Sequence, residues 1–116
     1  MISTLRIITA KENECYYIEK VQKAMHFHQL LQIVDIRTIS YWKDSSCVEM
    51  EISIEYGNDE KLVAWNDLFK SIFGFFEMNA DEQFIMLEHL GHLRDLEDVF
   101  AILTIPIGGK KEIAND

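Results

Sequence analysis

Proline occurs once, at Pro106, and glycine only five times in 116 residues. A chain so short of both breakers is not a disordered linker. Cysteine is almost missing: Cys15 and Cys47 lie far apart with no CxxC spacing, as expected for reduced thiols in a cytoplasmic protein. Basic residues are scarce, 11 Lys and Arg against 20 Asp and Glu, which leaves a net charge of −9. That shortage argues against a phosphate backbone or an anionic membrane surface as partner and leaves a cationic one open. No apolar run approaches the length of a membrane span. The first apolar stretch, Leu5 to Ala10, is strand-sized and lacks the order of a signal peptide. The P-loop, the dinucleotide-binding glycine pattern and the nucleophile elbow are all absent, so no cofactor is expected.

What the chain does have is a hairpin, Ile33 to Tyr56. Its second arm, Val48 to Tyr56, alternates without exception. Successive strand side chains point to opposite faces, so Val48, Met50, Ile52, Ile54 and Tyr56 face a core while Glu49, Glu51, Ser53 and Glu55 face water. The first arm is rich in β-branched and aromatic residues. A three-residue loop, Asp44-Ser45-Ser46, would set Trp42 opposite Val48, Ser40 opposite Met50, Thr38 opposite Ile52, Ile36 opposite Ile54 and Val34 opposite Tyr56. The wet row would then pair Tyr41 with Glu49, Ile39 with Glu51, Arg37 with Ser53 and Asp35 with Glu55. A slip of one residue would bury Asp35 and Arg37, at high cost.

Thr4 to Ala10 reads as a first strand. Ile18, Val21, Met25 and Leu31 recur at near-helical spacing, so 15–31 reads as an amphipathic helix, although Tyr16-Tyr17-Ile18 suits a strand equally. Leu62, Trp65, Leu68, Phe69, Ile72, Phe73 and Phe76 mark the clearest helix, with Gly74 at its fraying end. Asn79-Ala80-Asp81-Glu82 reads as a capping signal for a further helix carrying Phe84, Leu87 and Leu90. Val99 to Ile105 is a nearly unbroken apolar run of strand length, the pattern of a mid-sheet strand buried on both faces. These elements predict one α+β domain over 1–107 and a loose tail over 108–116. The expected architecture is a single-layer, mostly antiparallel sheet with helices on one face, in a ferredoxin-like split βαβ arrangement with an extra helix. In that arrangement the first and last strands are central.

Residues that carry chemistry do not assemble into a reaction. His26 with His28, and His89 with His92, form two pairs, but no zinc spacing accompanies them. No catalytic residue and no metal ligand is assigned. Carboxylates in a wet strand row have nothing to separate their pKa values. The candidate site is therefore a binding face of Asp35, Arg37, Ile39, Tyr41, Glu49, Glu51 and Glu55. Its expected role is to bind and neutralise a basic protein, such as a nuclease toxin, in the manner of an immunity protein or inhibitor. The alternative is a small ligand-binding or regulatory domain, dimeric through sheet edges or faces. Its ligand would sit in a cleft between Trp65, the aromatics at 73–76 and the last strand.

Overall fold

The first strand recruits a neighbour on each side. In the computed structural model, which describes residues 2–27, 31–56, 62–74, 76–90 and 99–106, β1 (Ile2–Ala10) pairs antiparallel with β3 (Cys47–Tyr56) and with β6 (Val99–Pro106). β2 (Leu31–Ser40) flanks β3, while β5 (Phe84–Leu90) and β4 (Glu77–Ala80) continue beyond β6. The described strands thus form one six-stranded antiparallel sheet in the order β2-β3-β1-β6-β5-β4. The first and last strands are central, as their apolar content predicts.

Two α-helices lie among the described residues, α1 (Glu14–His26) and α2 (Leu62–Phe73). α1 buries Tyr17, Val21, Ala24 and Met25 at helical spacing, which decides its ambiguous first turn in favour of helix. α2 buries Trp65, Leu68, Phe69, Ile72 and Phe73 and stops at Gly74, whose φ of 87° favours a residue without Cβ. Both helices share one core with Leu5, Ile7, Met50, Ile52, Ile54, Leu87, Ala101, Leu103 and Ile105. Strand parity places all of those sheet residues on a single face. Each large side chain buried there contributes about 1.5–3 kcal/mol by leaving water. Rings reinforce the layer: Tyr56 meets Trp65 edge-on at 4.9 Å, and Phe69 lies 4.8 Å from Phe73 and 5.6 Å from Phe76. Trp65 and Phe73 are therefore interior side chains.

The expected extra helix is a correction. Residues 84–90 form β5, and Asp81 closes a tight turn between β4 and β5. Its carboxylate accepts from the N–H groups of Gln83 at 2.7 Å and Phe84 at 2.8 Å, and its own N–H donates to the Phe84 carbonyl at 2.9 Å. An aspartate capping a helix accepts N–H groups at the same two- and three-residue offsets, so the local signal fits either structure. Pairing with β6 decides between them.

The hairpin register is also corrected. Ser40 lies opposite Val48, Thr38 opposite Met50, Arg37 opposite Glu51 and Ile39 opposite Glu49, two residues from the expected pairing. The connection runs over six residues instead of three. It is held by the Tyr41 N–H on the Cys47 carbonyl at 3.0 Å and by the Asp44 carboxylate on the Ser46 N–H at 2.9 Å and hydroxyl at 2.6 Å. A shift of two keeps Ile36, Thr38 and Ser40 on the side expected of them, since side-chain direction repeats every second residue, but it leaves Trp42 in the connection, 79% exposed instead of opposite Val48. An irregularity between Ile33 and Asp35 then turns Val34 outward, 45% exposed, and Ile33 takes the core position predicted for it.

Candidate functional site

The helices cover one side of the sheet, and the other side carries no described element. Cross-strand partners define three rows on that open face. The first runs Ile39, Glu49, Ile8, Phe100. The second runs Arg37, Glu51, Arg6, Ile102, Glu88, Glu77. The third runs Asp35, Ser53, Thr4, Thr104, Met86, Asn79. β6 alternates between buried and half-buried positions along its length, so its apolar run is not enclosed on both sides as expected. Ile8, Met86, Phe100 and Ile102 are half-buried, and Phe84 and Ile2 at the end of the face are 38% and 50% exposed. The centre of the open face is apolar.

Of the candidate residues, Asp35, Arg37, Ile39, Glu49, Glu51 and Glu55 share this face, and Tyr41 lies just past the end of β2 in the connecting turn. Their environments differ. Glu55 and Asp35 are exposed, Glu51 is half-buried, and Glu49 is buried at 8% exposure. The outward direction expected for these glutamates is observed, but Glu49 is packed between its neighbours Ile39 and Ile8. It tolerates this because Arg6 Nε donates to its Oε2 at 3.0 Å. Arg37 Nη2 donates to Glu51 Oε1 at 2.7 Å. That bond, together with the charge of Glu51, raises the Arg37 guanidinium above its ordinary pKa.

Arg6 is the residue that sequence reasoning missed. Its position was legible, since Thr4, Arg6 and Ile8 alternate with Leu5 and Ile7, but which glutamate it meets depends on β1 joining β3. The resulting ladder of Arg37, Glu51, Arg6 and Glu49 is neutral overall. Negative charge left on the face sits at the sides: Asp35 and Glu55 on one flank, Glu77 and Glu88 on the other, none of them in a salt bridge among the described residues. Glu77 and Glu88 are direct cross-strand partners, an arrangement of like charges that disfavours the sheet.

His89 is buried on the helix side, stacked on Phe73 at 5.5 Å, and His26 is exposed at the end of α1. Their expected partners His92 and His28, and the tail at 108–116, lie outside the described residues. Among the described residues no three His, Cys, Asp or Glu side chains converge as a metal site would require. Cys15 and Cys47 are free thiols. No helix of the described residues is long and apolar enough to cross a membrane. No protein-family model, curated protein or solved structure matches the chain.

Proposed function

We propose that this chain is a non-enzymatic interaction protein that binds a basic protein through its open sheet face. The observation that carries the reading is an uncovered apolar centre, Ile8, Phe100, Ile102 and Met86, set between two carboxylate flanks. Among the described residues, six carboxylates against two guanidiniums leave the face four charges negative. A partner with an apolar contact surface and a cationic rim complements that pattern, with the apolar centre supplying affinity and the flanks orientation and encounter rate. A cation inserted between Glu77 and Glu88 would relieve their mutual repulsion. Covering a cationic surface is also how an immunity or inhibitor protein would neutralise a nuclease toxin. Self-association through the same face is a poorer fit, because packing two copies face to face sets like charges together.

Two finer readings accompany this one. The run β2-β3-β1-β6, with helices leaving β1 and β3, supports a ferredoxin-like split βαβ core extended by the β4–β5 hairpin. The free thiols support a cytoplasmic location.

The test is affinity for the product of the adjacent gene at low and high salt, with Ile102→Lys as the disrupting variant. Binding that weakens with salt and is lost in Ile102→Lys supports the reading. No binding, binding indifferent to salt, or full binding by the variant counts against it. Sedimentation of the chain alone reports whether a second copy occupies the face instead.

A further inference from the structure

The helix layer has a feature unrelated to the sheet face. α1 and α2 leave between them a groove of about 600 Å³. That size is in the range of small-molecule sites. Its aromatic walls are Tyr16, 51% exposed, and Phe27, 82% exposed at the C-terminal end of α1. Among the described residues its cations are Lys20 and Lys23, and its acid is Asp67 from α2. The groove is therefore net positive on a chain of net charge −9.

Lys20 is held in place. Its Nζ donates to the Ile72 carbonyl at 3.0 Å, at the end of α2, and lies 5.3 Å from the centre of the Tyr16 ring. One of three N–H donors is thereby used and two remain. Ser71, also on the wall, has committed its hydroxyl to the Leu68 carbonyl at 2.7 Å. Among the described residues, the two ammonium groups and the Tyr16 hydroxyl are thus the side-chain donors a ligand would meet.

We propose that this groove binds a small aromatic anion, with the ring against Tyr16 and Phe27 and the acid group on Lys20 and Lys23. Asp67 opposes the ligand and sets an upper bound on affinity. The proposal is independent of the open sheet face, which lies on the other side of the molecule.

Two fluorescent probes separate charge from ring contact. Anilinonaphthalene sulfonate carries the anion, and N-phenylnaphthylamine has the same rings without it. The folded full-length chain should bind the sulfonate at one saturable site. Lys23→Gln should weaken the sulfonate roughly threefold, the scale of a solvent-accessible ion pair, and leave the neutral probe unchanged. Asp67→Asn should tighten the sulfonate, and Phe27→Ser should weaken both probes. Equal binding of the two probes, or indifference of the sulfonate to both Lys23→Gln and Asp67→Asn, overturns the proposal. Loss of the sulfonate in Ile102→Ser also overturns it, by placing the probe on the sheet face.

Discussion

Arg6→Met isolates Glu49, the one buried charge on the open face among the described residues. Glu49 is 8% exposed and its side chain 11%, whereas the Arg6 side chain is 42% exposed. Removing one partner of a fully buried ion pair costs about 3–5 kcal/mol. Water that already reaches Arg6 also softens the loss, so the expected cost is roughly half of that, about 2 kcal/mol. For a domain of this size that lowers Tm by roughly 8 °C. The double change Arg6→Met with Glu49→Leu replaces the pair by apolar groups in a row already holding Ile39, Ile8 and Phe100. It should recover most of the loss. Arg37→Met removes the other rung, where Arg37 is exposed and Glu51 only half-buried, and should lower Tm far less than Arg6→Met. Urea unfolding of the single variants and the double variant gives the coupling energy directly. Equal effects of Arg6→Met and Arg37→Met, or additivity of the Arg6 and Glu49 changes, would refute the claim that Glu49 depends on Arg6.

Three further outcomes follow from the same structure. Leu87→Ser should cost about 3 kcal/mol, because it opens the core, while Phe84→Ser on the opposite face should cost under about 1 kcal/mol; similar costs in thermal melts would restore a helix over 84–90. The N–H groups of Gln83, then Phe84, hold the Asp81 carboxyl below its ordinary 3.8, so its contribution is complete above that value and lost as pH falls through the lowered one. Asp81→Asn should accordingly flatten the stability curve below pH about 4, and an unchanged acid slope would show that the turn does not depend on the carboxylate. Burial pushes the Tyr56 phenol up, partly offset by the Ser3 hydroxyl, so its contribution holds below the unfolded value and is lost as pH rises through the raised one; Tyr56→Phe should remove that part of the alkaline loss, read by denaturation above pH about 10.

The sequence alone determined which side chains of the β3 strand face the core, because alternation is a property of the strand and survives a change of partner. Val48 through Tyr56 show this: the register moved by two residues and every inward residue stayed inward. It determined the amphipathic helix at Trp65 to Phe73 for the same reason, since the helical period is local. The tertiary structure alone decided the rest. Phe84, Leu87 and Leu90 fit a helical spacing, and Asp81 serves a helix cap or a turn alike, so only pairing with β6 made that segment a strand. Apolar residues on both sides of β6 looked like double burial, yet the two described helices lie on a single face and leave Phe100 and Ile102 half-uncovered. Arg6 became a partner of Glu49 only when β1 closed against β3, a contact spanning 43 residues that no local pattern encodes.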